Sequence, residues 1–172
     1  ESFIVNSHKT PTRLSSAIYG NVLNSTGSVI PLIWDAISKG YDLTLYSEEM
    51  TRFMIDIEDA INLIEYGLEV DGYNVIPNLK AFKVKDLFEI FSEKFGLKYN
   101  VGTPRISEKL HEMMVSSEEA PRTSYDKNTN IYYMHYKDMA GGSVTNDFTS
   151  DQTCVSKEEL IKILESYNYF KV

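Results

Sequence analysis

A strand, a loop and a helix are predicted around the stretch Tyr19-Gly20-Asn21-Val22-Leu23-Asn24-Ser25-Thr26-Gly27-Ser28-Val29-Ile30-Pro31. Residues 13–19 are rich in apolar and β-prone side chains, which predicts a short strand. Residues 29–39 are predicted to be helical, with Pro31 in the first turn, where a missing N–H costs nothing. The small and amide residues between them leave backbone N–H groups free near the positive end of the helix. Such a loop favours an anion, phosphate above all; the alternative is an ordinary connection with Ser28 as N-cap.

The composition is that of a soluble globular chain. Its 172 residues suffice for one domain, or one half of a larger one, and can bury a core. Hydrophobic residues make up 42% and charged residues 24%, which is ordinary for this class. The formal charge of −8 argues against a nucleic-acid partner, which requires a basic face. An acidic chain that binds phosphate must do so with a few local arginines.

The single Cys154 excludes an intramolecular disulfide framework and fits a reducing compartment. No apolar run approaches the length that crosses a bilayer. We therefore expect a cytoplasmic protein with no membrane partner. Because Glu1 is not a natural start, we expect a further segment upstream.

Strands and helices alternate along the rest of the chain, which predicts an α/β or α+β class; the α/β class is the one we adopt. Residues 1–9 are predicted to be the tail of a helix, and residues 137–153 a long mobile loop. Further strands are predicted at residues 42–46, 73–76, 98–101 and 131–136. Further helices are predicted at residues 56–68, 84–95, 108–114 and 156–165.

Three of these helices carry clear local signals. Asp56 is predicted to cap the first, and a capping box beginning at Ser156 the last. Apolar side chains at helical spacing are expected to face the core. In residues 56–68 these are Ile57, Ala60, Ile61, Ile64 and Leu68, and in residues 84–95 they are Val84, Leu87, Phe88, Phe91 and Phe95.

Four ordered motifs resemble the C-terminal half of the extended short-chain dehydrogenase/reductases that act on nucleotide sugars. The motifs are Tyr19-Gly20-Asn21-Val22, Gly27-Ser28-Val29-Ile30-Pro31, Met50-Thr51-Arg52-Phe53-Met54 and Glu108-Lys109-Leu110-His111-Glu112. They are most similar to the UDP-N-acetylglucosamine 4,6-dehydratases of capsular and flagellar polysaccharide biosynthesis. The segment from Thr149 to Leu160 resembles the end of the capsule-type enzymes.

The resemblance implies roles for individual residues. Tyr19, Gly20 and Asn21 would lie beside the nicotinamide of the cofactor, with Asn21 also reaching the substrate. Backbone at Gly27, Ser28 and Val29 would contact the nucleotide diphosphate. Arg52 and Arg105 would pair with that diphosphate from opposite walls, and Glu108 would accept a ribose hydroxyl. Guanidinium donors match phosphate oxygens, and a carboxylate accepts from a hydroxyl, so the chemistry is consistent with these roles.

The charged residues of these motifs also have simpler interpretations. Arg52 alone can be a surface ion-pair partner of Glu48, Glu49 or Asp56. Arg105 can pair with carboxylates of the helix predicted after it, and Glu108 can be a solvated helix start. We interpret His111 as a packing or surface residue, because no partner for it is evident in the sequence.

Most of the cofactor-binding residues of this family, and its catalytic residues, are expected upstream of the chain. It has no glycine-rich dinucleotide turn, and the catalytic Tyr-x-x-x-Lys is expected upstream. We therefore predict no catalytic residue and no metal site. Residues 1–137 are expected to hold the last strands of the dinucleotide-binding sheet and a small α/β substrate-binding lobe. Residues 138–172 are expected to hold the mobile loop and a C-terminal helix.

The resemblance implies part of an NAD- or NADP-dependent lyase that makes a 4-keto-6-deoxy sugar nucleotide. The cofactor would be bound mainly by the missing half, the substrate would be a UDP-sugar, and the complete protein would be a homo-oligomer. A UDP-sugar 4-epimerase is the related candidate. Two candidates without catalysis also stay open, namely a nucleotide-sugar-binding module and an assembly protein that binds no ligand.

Overall fold

The computed structural model describes residues 12–103, 106, 108–136 and 141–170. The strands are β1 (Ser16–Ala17), β2 (Asn21–Val22), β3 (Leu43–Leu45), β4 (Thr51–Ile55), β5 (Tyr73–Pro77), β6 (Ala81–Lys83), β7 (Tyr99–Val101), β8 (Met113–Val115), β9 (Thr123–Asp126), β10 (Ile131–His135) and β11 (Phe148–Thr149). The helices are α1 (Val29–Lys39), α2 (Ile57–Leu68), α3 (Val84–Phe95) and α4 (Lys157–Ser166), with 3-10 turns at Ala120–Arg122 and Ser150–Thr153. Parallel pairing of β1 with β5 and of β3 with β7 confirms the predicted α/β class.

The chain forms two compact units, each assembled from three separate segments. The first takes its described residues from Glu1–Gly20, Ile55–Leu79 and Met113–Thr149. The second takes its described residues from Asn21–Met54, Lys80–Glu112 and Ser150–Val172. The predicted boundary between residues 137 and 138 lies outside the described residues and stays a prediction.

The first unit contains a mixed sheet in the order β1-β5-β10-β9. Strand β10 lies antiparallel to both β5 and β9. Helix α2 packs through Leu63 against Val75 and Ile131 of this sheet. The hydroxyl groups of Tyr66 and Tyr133 share a hydrogen bond at the same place, and this bond together with burial raises the pKa of Tyr66 to about 12.

Helix α2 has the predicted bounds and cap, but of its five predicted core positions only Ala60 is buried. The Asp56 carboxylate accepts the backbone N–H of Glu58 at 2.8 Å, as an N-cap does. The buried positions are the small or central residues Ala60, Leu63 and Gly67. A Cβ at Gly67 would lie 3.3 Å from the Ser15 Oγ, a tight contact, so the helix lies close to the residue that precedes β1. The large apolar residues Ile57, Ile61, Ile64 and Leu68 are exposed instead.

The second unit contains the larger hydrophobic core. Its sheets have the orders β2-β4-β6 and β3-β7. Helices α1, α3 and α4 each bury one side in the same core, and the residues they contribute include Ile30, Ile33, Ala36, Leu87, Phe88, Ile90, Phe91, Leu160 and Leu164. Helix α1 ends where predicted, because Gly40 adopts a left-handed conformation at φ 72° and its N–H bonds the Ala36 carbonyl.

Aromatic contacts fix the ends of this core. The Trp34 ring lies 5.3 Å from the Phe91 ring and 4.8 Å from the Phe95 ring, between centroids. The Trp34 indole N–H donates to the Tyr169 carbonyl at 3.2 Å, which satisfies its polar group. The side chain of Trp34 therefore links α1, α3 and the segment that follows α4.

Three further predictions need correction, and one lies outside the described residues. The strand expected at residues 13–19 is only β1. The helix expected at residues 108–114 is wrong, because this segment leads into strand β8 and its Leu110 carbonyl accepts the Thr51 N–H. The prediction of a mobile loop at residues 137–153 is wrong for residues 148–153, because these form β11 and a 3-10 turn in which Ser150 is buried. The helix expected at residues 1–9 lies outside the described residues.

Replacement of Phe91 by alanine is expected to destabilise the second unit by about 3–5 kcal/mol, because it leaves a cavity among well-packed rings. Urea unfolding followed by the fluorescence of Trp34, which contacts Phe91, measures the loss. Leu32→Ala on the exposed side of α1 is the control and is expected to change stability by less than about 0.5 kcal/mol. Equal losses in the two variants contradict this core assignment.

Candidate functional site

The carboxylate of Glu112 joins two neighbouring strands of the second unit. One oxygen, Oε2, accepts the backbone N–H of Phe53 on β4 at 2.9 Å. In the amide orientation that satisfies both groups, the Asn21 nitrogen on β2 donates to the two oxygens at 2.9 and 3.2 Å. Glu112 therefore fixes the Asn21 side chain relative to β4.

Arg52 lies in the same cluster and is largely buried. Its Nη2 donates to Glu108 Oε1 at 2.8 Å, and its Nε lies 3.8 Å from Glu112 Oε1. Its Nη1 donates to the carbonyl of Thr51 at 2.7 Å and to that of Leu110 at 3.3 Å. The ion-pair partners are thus Glu108 and Glu112, rather than the sequence neighbours Glu48, Glu49 and Asp56. The guanidinium is aimed at the segment 108–112.

Buried hydroxyl groups hold that segment in place. Thr51 Oγ1 lies 2.8 Å from His111 Nδ1 and 2.6 Å from Ser150 Oγ. Ser150 Oγ also accepts the Glu112 N–H at 2.9 Å, and the Ser150 N–H donates to the Glu112 carbonyl at 2.9 Å. His111 thus has a hydrogen-bond partner that the sequence did not reveal, and its interpretation as a packing or surface residue stays a prediction. The network fixes the backbone from which the Glu112 side chain projects.

Glu112 is the ionisable group of this cluster whose titration is clearly perturbed. Burial raises the pKa of its carboxyl group above the usual 4.5. The Phe53 N–H and the charges of Arg52 and Lys109 act in the opposite direction and offset part of this effect. Burial has the largest effect on this pKa, so keeping the Glu112 carboxylate ionised in the folded chain lowers the free energy of unfolding.

The loop after β2 leads to the start of α1, which is the predicted position of the diphosphate. Gly27 has a φ of 80°, a conformation that favours glycine. Ser28 occupies the N-cap position, but its side chain makes no cap hydrogen bond. Its Oγ is buried and bonds to no group in the described part of the chain. The first N–H groups of α1, beginning with Val29, are therefore not capped by this side chain.

The remaining predicted site residues are Tyr19, Gly20 and Arg105, and none of them has a described contact with the Glu112 cluster. Tyr19, 38% exposed, and Gly20 lie between β1 and β2, immediately before Asn21. Arg105 lies outside the described residues, so its predicted position opposite Arg52 stays a prediction. In the structure Glu112 contacts Asn21 and Arg52, and Arg52 in turn contacts Glu108.

No role was predicted for Glu112, although it stands in the motif Glu108-Lys109-Leu110-His111-Glu112. Its contacts reach residues 59 and 91 positions away in the chain, and no local pattern encodes such contacts. The same applies to Thr51 and Ser150, which are 99 positions apart. The available signal was the pair of carboxylates at positions 108 and 112, both of which lie within 4 Å of the Arg52 guanidinium.

A family described as "Polysaccharide biosynthesis protein" matches residues 2–134 of this chain, well over half of its length. The chain belongs to this family. This confirms the resemblance to a C-terminal portion of an extended short-chain dehydrogenase/reductase that the sequence motifs indicated.

Curated relatives of this polysaccharide biosynthesis family protein include two named enzymes. A UDP-glucose 4-epimerase of Rickettsia canadensis is 32% identical over 88% of this chain and 49% of its own length. A UDP-N-acetylglucosamine 4,6-dehydratase (inverting) of Campylobacter jejuni is 33% identical over 80% of this chain and 41% of its own length. The uncharacterized membrane protein MJ1061 of Methanocaldococcus jannaschii is 30% identical over 94% of this chain and 52% of its own length. The chain spans about half the length of the curated relatives it matches.

Among solved structures, Pen from Bacillus thuringiensis superposes on 98% of this family member and 54% of its own chain, with a TM-score of 0.84. At 22% identity, this likeness confirms the fold. Within the part of the chain that the structure covers, no helix is both long and apolar enough to span a bilayer.

Replacement of Glu112 by alanine is expected to cost about 1–3 kcal/mol, because the partly buried Phe53 N–H and the Asn21 amide lose their acceptor. Glu112→Gln keeps an acceptor for Phe53 and is expected to cost less. The exposed Glu118→Gln is the matched control and is expected to leave stability unchanged. Urea unfolding of the four proteins at pH 7 provides the measurement.

The same variants test the titration of Glu112. Because its folded-state pKa is raised, the folded chain binds this proton at a higher pH than the unfolded chain. The contribution of the wild-type group to stability therefore falls as the pH rises through the window above 4.5. Relative to Glu112→Gln, the wild type is expected to gain stability as the pH is lowered from 7 toward 4.5. A difference that is constant with pH contradicts a raised pKa.

Proposed function

We propose that this chain is the nucleotide-sugar-binding portion of an NAD(P)-dependent UDP-N-acetylglucosamine 4,6-dehydratase. The observation that carries the proposal is the position of Arg52. This largely buried guanidinium lies on β4, next to the strand that bears Asn21, and both side chains are fixed by Glu112. The same strand β2 leads directly into the loop and the uncapped start of α1.

The diphosphate of the ligand is proposed to lie between Arg52 and the start of α1. Forked guanidinium donors bind phosphate oxygens in charge-assisted pairs. The N–H groups of Val29 and Ile30 at the helix start supply further donors, and the helix dipole favours the negative charge there. Pro31, the third residue of α1, has no N–H group, so Val29 and Ile30 supply the backbone donors of the first three helical positions.

Glu108 is proposed to exchange partners when the ligand binds. Its carboxylate now accepts from Arg52, and 29% of the Glu108 side chain is exposed. A phosphate oxygen can replace it on the guanidinium, which frees the carboxylate to accept a ribose hydroxyl. This exchange keeps Arg52 paired in both states, so that no buried charge is left without a partner.

The dinucleotide cofactor is proposed to bind mainly to polypeptide outside these 172 residues. This chain lacks a glycine-rich dinucleotide turn. Its contribution is proposed to be the edge formed by Tyr19, Gly20 and Asn21, of which Tyr19 is partly exposed. When bound, NAD or NADP supplies hydride transfer to and from the sugar. The role of Asn21 is to orient the sugar next to that edge.

A UDP-sugar 4-epimerase is the second candidate. The epimerase of Rickettsia canadensis shares 32% identity with this chain, against 33% for the Campylobacter dehydratase. The two reactions use the same nucleotide and differ in what happens at the sugar. We favour the dehydratase because the motifs and the C-terminal segment of this chain resemble the capsule-type enzymes. A cytoplasmic location and a homo-oligomeric complete protein belong to the same proposal.

Arg52→Lys is expected to weaken the binding of UDP to the 172-residue chain at least about tenfold. Loss of a charge-assisted hydrogen bond costs about 1.5–3 kcal/mol, and 1.4 kcal/mol corresponds to tenfold. Isothermal titration with UDP and with UDP-N-acetylglucosamine measures the effect.

The matched control is Arg122→Lys in the first unit. Arg122 has a similarly buried side chain and pairs with Glu119 at 3.3 Å, so its replacement tests for a general effect of losing a guanidinium. UDP affinity is expected to stay at the wild-type value. Equal weakening in both variants excludes the proposed role of Arg52, and failure of the wild-type chain to bind UDP favours an assembly protein without a ligand.

Product analysis of the complete gene product is expected to give a 4-keto-6-deoxy sugar nucleotide from UDP-N-acetylglucosamine. Proton NMR distinguishes this product, which has a C6 methyl group, from the 4-epimer. Formation of the epimer alone identifies the second candidate. Binding of the nucleotide sugar without any turnover identifies a non-catalytic binding module.

A further inference from the structure

The outer side of α2 carries four large apolar side chains in one row. Ile57, Ile61, Ile64 and Leu68 are each between 45% and 68% exposed. At about 100° per residue, they lie within about 60° of one another around the helix axis. We call this row the α2 stripe.

The α2 stripe is not needed for the core of its own unit. The helix already packs on the sheet through Ala60, Leu63 and Gly67. Single exposed apolar residues are normal on protein surfaces, but a contiguous row at helical spacing marks an interaction site. A helix with one packed face and a second apolar face next to it is typical of a helix that contacts two bodies.

The charged residues of the helix that bears the α2 stripe are all acidic. Glu58, Glu65 and Glu69 follow its outer border, and residues 56–72 contain no lysine, arginine or histidine. All three glutamates are exposed and make no ion pair with the described residues. The stripe is therefore a hydrophobic surface whose acidic border receives no basic residue from its own helix and forms no ion pair with the described residues.

This pattern indicates the kind of partner. Pairing of the stripe with a second copy of itself would bring acidic borders together with no cation between them, which costs free energy. A partner helix bordered by lysine or arginine gains both apolar contact and opposite charge. We propose that the α2 stripe docks an amphipathic helix with a basic border, supplied by polypeptide outside these 172 residues. In the curated relatives about half of the length lies outside the matched region, and that length can supply such a helix.

Two designed peptides test the partner chemistry directly. Both are helical, about 20 residues long, and have the same leucine row; one is bordered by lysines and the other by glutamates. The lysine-bordered peptide is expected to bind the 172-residue chain at least about tenfold more tightly, that is by about 1.4 kcal/mol. Fluorescence anisotropy at physiological salt measures both affinities.

Two variants of the chain locate the contact. The double variant Ile61→Gln, Ile64→Gln removes the centre of the stripe but keeps good helix formers. It is expected to lower the affinity of the chain for the lysine-bordered peptide at least about tenfold. Glu65→Lys with Glu69→Lys is expected to remove or reverse the preference between the peptides. Both pairs of positions are exposed, so circular dichroism is expected to show an unchanged fold.

Several outcomes overturn the proposal. They are no binding of the lysine-bordered peptide, equal binding of both peptides, and binding that survives the glutamine substitutions. Sedimentation of the wild-type chain as a dimer that the glutamine substitutions dissociate assigns the stripe to a second copy instead. UDP binding by each variant is measured separately from peptide binding. A chain that binds UDP but not the lysine-bordered peptide contradicts the docking proposal alone, and one that binds the peptide but not UDP contradicts the nucleotide site alone.

Discussion

The arrangement of the candidate site depends on the hydrogen bonds of one extended segment, residues 108–112. This segment has no helical hydrogen bonds of its own, so its backbone is satisfied by β4 and by the turn at Ser150. That arrangement directs the Glu112 carboxylate toward β2 and β4. The positions of Asn21 and Arg52 follow from it.

The charge balance of the cluster limits how an anion can bind. One guanidinium faces two carboxylates, in a chain whose formal charge is −8. A further negative group cannot simply be added there, since it would meet Glu108 and Glu112 at short range. An anionic ligand must therefore displace a carboxylate from Arg52, and the less constrained of the two is Glu108. Glu112 is held by Asn21 and Phe53 as well, so it is the fixed member of the pair.

Local signals in the sequence predicted much of the fold. Helices α1 and α3 begin and end where apolar spacing and glycine caps place them, and Ser156 caps α4 as predicted. The failures concern contacts between distant residues. The small residues Ala60 and Gly67 face the sheet in α2, and no periodicity distinguishes that face from the row of large apolar residues beside it. Residues 108–114 and 148–153 take their conformation from partners far away in the chain.

The candidate site was only partly identified from the sequence, because it too depends on contacts between distant residues. Arg52 and Asn21 were identified by short motifs, whereas Glu112 owes its importance to contacts across 59 and 91 positions. The predicted role of Arg105, which lies outside the described residues, remains a prediction.

The two units alternate along the polypeptide, and this has a consequence for biosynthesis. Leu160 and Leu164 in α4 are fully buried among side chains of α1 and α3, which a ribosome makes more than sixty residues earlier. Until α4 emerges, the apolar faces that it covers stay open to water and to other nascent chains. The core of the second unit is thus completed only after α4 has been synthesised, and a chaperone that shields those faces in the interval would act on the residues that precede α4.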